Sequence, residues 1–310
     1  MSARRVTVTG ATGLLGPALV SALRERGAEV TVLTRNPERA RARLGEVEAV
    51  RWDLMAESAP ERALAGRDAV VHLAGEPVAQ RWSAKARRAI RDSRVTGTRN
   101  LVEGVAHAAS SAQGDPPPRT LISGSAVGYY GAHGEEPLDE DAPPAEDFLA
   151  RVCAEWEQQA AAARAHGVRV AQVRTGVVLD RDGGALAKML PPFRLGLGGP
   201  VAGGRQYVPW IHTDDVVGMM LAAIEDERWS GPVNATAPEP VPNRELARVL
   251  GSVLGRPAAL PVPALALRAL YGEMAEIVTT GARVVPAKAL VLGYEFAHPR
   301  LEEALRSALS

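Results

Sequence analysis

The sequence predicts an α/β fold: a doubly wound parallel sheet with helices on both faces and a smaller lobe toward the C-terminal side. Three observations carry this. Short apolar strands alternate with helical stretches over the first two-thirds of the chain. A glycine-rich turn joins the first strand to the first helix. After Val173 the alternation gives way to a segment rich in glycine, proline and apolar residues.

The elements follow in order. Strands are expected at Arg5–Thr9, Glu29–Thr34, Glu48–Trp52, Ala69–Leu73, Arg119–Ser123 and Arg169–Val173, short runs rich in β-branched residues. Helices are expected at Leu14–Arg26, Pro37–Arg43, Ser83–Ala109 and Ala145–His166, with Ser83 suited to cap the third. Pro116-Pro117-Pro118 marks a loop. Further on come a helix at Thr213–Glu227 capped by Thr213 or Asp214, a strand near Val233–Ala235, a helix from Asn243 and a last helix near Pro299–Ala308. Gly183–Tyr207 reads as a flexible cover over a substrate pocket, by its glycine content and position.

Composition excludes several classes. The 310 residues include 36 basic and 36 acidic side chains, a net charge of zero, which argues against a nucleic-acid partner. Cys153 is the only cysteine, so no intrachain disulfide is available and a reducing compartment is expected. Val216–Ile224 is among the longest apolar runs and is far short of a bilayer span. No secretory pattern precedes Arg5, so a cytoplasmic protein with no membrane partner is expected. Histidine and cysteine show no metal-ligand spacing, and no metal site is expected.

Thr9-Gly-Ala-Thr-Gly-Leu-Leu-Gly16 stands between the first strand and the first helix. Gly10 permits the tight turn, Gly13 lets backbone approach a pyrophosphate, and Gly16 lets the helix pack close to the sheet. A phosphate there meets free N–H groups and the positive end of the helix dipole. The spacing is GxxGxxG, where the commoner fingerprint is GxGxxG. A glycine-rich turn without a ligand is the plainer alternative. The second strand runs into Arg35, where a site for NAD usually carries an acid for the ribose 2′-OH. A guanidinium suits a 2′-phosphate by charge and fork geometry, so NADP(H) is favoured; the plainer alternative is a solvated surface arginine. Asp53 could accept from the adenine amino group, and Gly75 could let backbone approach the ribose or pyrophosphate. Both stand at carboxyl ends of successive strands, the edge where open α/β sheets bind ligands.

These motifs resemble the extended short-chain dehydrogenase/reductase superfamily of the sugar-nucleotide epimerase/dehydratase type. The resemblance is carried by Thr9–Gly16, Asp53-Leu54, His72-Leu-Ala-Gly75, Val95-Thr-Gly-Thr98, Ser123–Gly131 and Trp210-Ile-His-Thr-Asp-Asp215. Leu73-Ala-Gly-Glu-Pro77, Ser125-Ala-Val-Gly-Tyr-Tyr-Gly131, Phe148–Glu157, Gly272-Glu-Met-Ala and Gly293-Tyr-Glu-Phe296 resemble one subgroup. This is the epimerase family protein group, NADP-dependent oxidoreductases with a C-terminal domain of unknown function. The resemblance spans essentially the whole chain. It implies a Rossmann fold over 1–173, with 208–235 returning to it, and a smaller lobe of 174–207 and 236–310. It implies NADP(H) held by Gly10, Thr12, Gly13, Leu14, Leu15, Gly16, Arg35, Asp53, Leu54, Leu73, Ala74, Gly75, Arg94 and Ser123. It also implies a homodimer through the two long helices, Ser83–Ala109 and Ala145–His166.

The departure from the family is equally specific. Active members use a Tyr-x-x-x-Lys pair, in which the lysine lowers the tyrosine's pKa and the tyrosine moves a proton at the substrate oxygen. Only Lys85, Lys188 and Lys288 are lysines here, and none stands four residues after a tyrosine. Aligning Glu157 with the glutamate that often follows the pair puts Leu149 at the tyrosine and Cys153 at the lysine. Ser125 occupies the place of the family's serine. Tyr129 or Tyr130, helped by a cation such as Arg94, is the candidate substitute acid; the alternative is that both pack the pocket floor. Glu76, Arg81 and Trp82 could form a substrate wall, His212 reads as a structural hydrogen-bonder and His72 as buried. Two functions stay open: an NADP(H)-dependent oxidoreductase or epimerase-like enzyme on a small organic, possibly sugar-derived substrate, and a non-catalytic NADP(H)-binding sensor.

Overall fold

The computed structural model describes residues 4–111 and 115–310. The first three residues, which bear on the expected lack of a leader, lie outside this range. Among the described residues, seven strands form a central, wholly parallel sheet. Numbered along the chain they are β1 (Arg5–Thr9), β2 (Glu29–Thr34), β3 (Glu48–Arg51), β4 (Ala69–His72), β5 (Thr120–Ala126), β6 (Arg169–Thr175) and β7 (Gly231–Ala235). Their spatial order is β7-β6-β5-β4-β1-β2-β3. Successive strands therefore wind outward from β1 in both directions, and a crevice opens at the carboxyl ends where the winding reverses.

Helices cover both faces, which is why the strands read as nearly continuous apolar runs. On one face, Leu19, Val20 and Leu23 of α1 (Gly16–Glu25), Ala40 of α2 (Pro37–Leu44) and Val216–Met220 of the helix Thr213–Glu225 pack on Val6, Val8 and Val71. On the other, Leu101, Val102 and Val105 of α3 (Ala84–Ser110) and Ala160 of α4 (Phe148–Ala161) pack on Val70, Leu121 and Val170. Ser83 caps α3, its side chain accepting from the Ala86 N–H.

The chain leaves the sheet after β6. A second core joins α5 (Gly184–Arg194), the helix Asn243–Leu254 and the last helix, Leu301–Leu309, around Trp210. The sheet is regained by the helix Thr213–Glu225, here α6, and by β7. The segment before them does not rejoin it: Trp210–His212 pairs with Val177–Leu179, and Tyr207–Val208 pairs with Val241–Pro242.

Several expected boundaries move. The first helix begins at Gly16, because residues 10–13 form a turn closed by the Gly13 N–H on the Gly10 carbonyl at 2.8 Å and residues 14–15 precede the helix. The fourth begins at Phe148, because Asp147 caps it by accepting from Leu149 and Ala150, and it ends in a 3-10 turn, Ala162–His166. β5 runs three residues past Ser123, which puts Ser125 inside the sheet. The cap of α6 is neither Thr213 nor Asp214 but His212, whose ring Nδ1 accepts from the Asp214 N–H at 3.1 Å. Gly183–Tyr207, expected as a flexible cover, contains the helix α5, Gly184–Arg194.

Candidate functional site

A cleft of about 380 Å³ lies over the carboxyl ends of β1 to β4. Its floor is the glycine turn. Gly10 has φ +68°, and a Cβ there would lie 2.6 Å from the Ala74 nitrogen, so only glycine lets the ends of β1 and β4 meet. Gly16 is equally constrained: a Cβ would lie 2.2 Å from the Ala11 carbonyl oxygen. Gly10, Thr12, Gly13, Arg35, Asp53, Leu54, Leu73, Ala74 and Gly75 all line the cleft. Glu76, expected in a substrate wall, lines it too, as do Trp52, Met55, Ala89, Asp92 and Ser93, which the sequence did not mark as ligand contacts. Such a turn, with backbone open toward the crevice and a helix beginning at Gly16, fits a dinucleotide pyrophosphate.

Buried hydrogen bonds brace the wall of the cleft. The Ala74 N–H donates to the Thr9 hydroxyl at 3.3 Å, and Thr9 Oγ1 lies 2.7 Å from His72 Nδ1. His72 Nε2 lies 3.1 Å from Thr98 Oγ1 on α3. Complete burial, and secondarily the Arg94 charge, pull the His72 pKa down to about 4, so the ring is neutral and links β1, β4 and α3. From α3, the Ser93 hydroxyl accepts the Glu76 N–H at 2.9 Å, and Arg94 Nη1 donates to the Glu76 carbonyl at 2.9 Å. Arg94 thus sits behind the wall under Gly75, its guanidinium 5.2 Å from the Trp156 ring. Ser123 also lies outside the cleft, buried, with its hydroxyl on the Gly124 carbonyl. Asp53 accepts the Met55 N–H with Oδ1.

At the β5 end the buried side chains form one network. Ser125 donates to Glu157 Oε1 at 2.7 Å. Arg174 of β6 grips the same carboxylate with two bonds, Nε to Oε1 at 2.8 Å and Nη2 to Oε2 at 2.9 Å. Its Nη1 donates to the Tyr130 hydroxyl at 2.8 Å, and Tyr130 donates to Asn234 Oδ1 at 2.6 Å. Glu140 accepts the Asn234 and Lys288 backbone N–H groups. Burial pushes the Tyr130 hydroxyl up to about 12, against the lowering effect of Arg174. Tyr130 is 2% exposed, and its hydroxyl, which donates to Asn234 and accepts from Arg174, is engaged on both sides. Tyr129 differs. Its ring is held between Arg174 and Tyr130, and its hydroxyl makes no hydrogen bond among the described residues.

Leu149 and Cys153, the residues aligned with the family pair in the sequence, both lie against Gly128, next to this loop. Burial first, and the Glu157 charge second, push the Cys153 thiol up to about 12, so it offers no thiolate. Glu140, Arg174 and Asn234 were not legible as partners, because each is an ordinary polar residue in an apolar strand or loop until β5, β6 and β7 are side by side.

Arg35 is exposed and lines both the cleft and a neighbouring hollow. Leu14 faces the second lobe: its Cδ1 lies 2.4 Å from where a Gly183 Cβ would be, so the start of α5 rests on the glycine turn. His212, Asp214 and His298 gather with donor atoms within 4.8 Å of one another. His212 Nδ1 is taken by the α6 cap, and Asp215 accepts the Ala297 and His298 N–H groups, so this cluster pins the C-terminal tail to α6. No helix among the described residues is long and apolar enough to cross a membrane.

The comparisons with known proteins agree with this geometry. Residues 6–235 match the NAD dependent epimerase/dehydratase family, and residues 262–308 match a domain of unknown function, DUF1731. The chain is 41% identical over 304 residues to "Epimerase family protein SDR39U1 homolog, chloroplastic" of Arabidopsis thaliana, covering 98% of this chain and 86% of that one. It is 38% identical over 313 residues to mouse epimerase family protein SDR39U1, covering 99% and 100%. The crystal structure of human epimerase family protein SDR39U1 (isoform 2) with NADPH matches with a TM-score of 0.84 at 34% identity over 99% of each chain. With its parallel sheet, its glycine turn and a match over the greater part of its length, the chain belongs to the NAD dependent epimerase/dehydratase family.

Proposed function

We propose that this protein is an NADP(H)-dependent oxidoreductase or epimerase-like enzyme acting on a small organic, sugar-derived substrate. The observation that carries the reading is the placement along one sheet edge of the glycine turn, Arg35 and the Ser125–Tyr129 segment. The human relative with bound NADPH supports the cofactor assignment. Bound nicotinamide supplies or accepts a hydride at C4.

The protein's own part is position and proton movement. Gly10 to Gly13 and the 73–76 wall hold the phosphates and ribose. Arg35 meets the 2′-phosphate. Ser125 is fixed by Glu157, which keeps its hydroxyl oxygen in one orientation. Tyr129, with its hydroxyl unbonded, moves the proton at the substrate oxygen. The absence of the usual tyrosine and lysine is met by this shift of the acid to the loop after β5.

A second reading, a non-catalytic NADP(H)-binding sensor, is favoured by Leu149 and Cys153 at the positions of the missing pair. The two separate in one experiment. NADPH absorbance at 340 nm is followed with a panel of aldehydes, ketones and sugar-nucleotide carbonyls, beside a direct measurement of NADPH binding. Turnover on any member that falls in Tyr129→Phe supports the enzyme; tight binding with no turnover across the panel supports the sensor.

The same reading includes a cytoplasmic, reducing location, which suits a single buried cysteine, and a homodimer through α3 and α4. Light scattering on the purified protein tests the dimer.

A further inference from the structure

A second hollow, of about 560 Å³, adjoins the cofactor cleft at Arg35. Four guanidiniums line it: Arg35 after β2, Arg41 on α2, Arg51 at the end of β3, and Arg62 in the short turn Glu61–Ala63. Glu38 is the single acid in its wall. Arg41 donates to the Ala49 carbonyl. Among the described residues, the side chains of Arg35, Arg51 and Arg62 make no ion pair and no hydrogen bond. In a chain of zero net charge, three unpaired arginines facing one hollow leave a local positive excess that a counter-anion would relieve.

The anion's chemistry follows from the position. The pyrophosphate belongs at the glycine turn and the adenosine ribose at the end of β2, so a ribose 2′-phosphate projects past Arg35 into the hollow. A phosphate dianion takes donors on three oxygens, and guanidinium forks match it in pairs. We infer that Arg51 and Arg62, with Arg41, complete the 2′-phosphate pocket that Arg35 opens. Preference for NADP(H) is then set by β3 and the turn after it as well as by the end of β2. The inference rests on the NADP(H) reading above.

The test is the ratio of NADPH to NADH affinity, measured by titration calorimetry, with 2′,5′-ADP and 3′,5′-ADP as second probes. All the arginines concerned are exposed, so their replacement leaves the core intact. Arg51→Ala/Arg62→Ala is expected to weaken NADPH and 2′,5′-ADP by about 10- to 100-fold while NADH changes less than about twofold. Arg51→Lys/Arg62→Lys is expected to recover part of the loss, because charge returns without the fork. If the double alanine variant keeps the original ratio while Arg35→Ala collapses it, Arg51 and Arg62 are not part of the pocket and the NADP(H) reading stands. Equal binding of 3′,5′-ADP and 2′,5′-ADP also overturns the assignment to the 2′ position. If the unaltered protein shows no preference for NADPH, both readings fall together.

Discussion

The Arg174 guanidinium carbon lies 3.5 Å from the centre of the Tyr129 ring, while an Nη1 proton of the same group goes to the Tyr130 hydroxyl. One buried cation therefore fixes two adjacent tyrosines in different ways, one by its face and one by its oxygen.

That difference separates their variants. Tyr129→Phe keeps the ring over Arg174 and removes a free hydroxyl, so turnover is expected to fall by about 10²- to 10⁴-fold with stability nearly unchanged. Tyr130→Phe leaves Asn234 without its buried donor and removes one acceptor of Arg174, at a cost of about 1–3 kcal/mol in denaturant unfolding. NADPH binding should be the same in both. The assignment is wrong if Tyr130→Phe loses turnover without losing stability, or if Tyr129→Phe retains full turnover.

Glu157 and Arg174 are both buried, and each is the other's charge partner. Removing one leaves an uncompensated charge in the sheet interior. Arg174→Met is expected to destabilise the protein by about 3–5 kcal/mol, and more than Ser125→Ala, which removes only one hydrogen bond. Chemical denaturation of the two variants gives the comparison. Equal costs would mean that the ion pair is not what holds β5, α4 and β6 together.

His72 makes a pH prediction. Its folded pKa, about 4, lies below the ordinary value of 6.5, so the unfolded chain binds the extra proton first as pH falls. The contribution of the neutral ring is fully present above about pH 6.5. It is lost progressively between there and about pH 4, by about 1.4 kcal/mol per unit. The slope of unfolding free energy against pH in this window should be shallower by about one proton in His72→Gln than in the unaltered protein. Matching slopes would show that His72 already titrates normally in the folded state.

Gly10→Ala tests the floor of the cleft. The added Cβ meets backbone of Leu73 and Ala74 rather than a movable side chain, at a positive φ. The expected result is a loss of about 1–3 kcal/mol from backbone strain. NADPH affinity should also fall tenfold or more, as the 73–76 wall is displaced. Gly134→Ala has open space around it and serves as the control. Comparable effects of the two substitutions would remove the special role of Gly10.

The sequence by itself determined the sheet, the glycine turn and the loss of the Tyr-x-x-x-Lys pair. These are local facts: alternation of short apolar strands with helices, three glycines at fixed spacing, and the residue four places after each tyrosine. It also placed Arg35 and Asp53 at strand ends. Boundaries were less legible where a cap overrode the pattern, as Asp147 and His212 show. What only the tertiary structure decided depends on residues far apart in the chain. Tyr130 meets Asn234 across 104 positions, Ser125 meets Glu157 across 32, and Arg51 and Arg62 reach Arg35 through separate elements. Hydrogen bonds and charge pairing act over a few ångströms in space, and sequence spacing sets that distance only within a helix or a strand. Packing β5, β6 and β7 side by side bonded the Tyr130 hydroxyl on both sides and left that of Tyr129 without a hydrogen bond among the described residues, and the meeting of β2, α2 and β3 turned scattered arginines into one basic hollow.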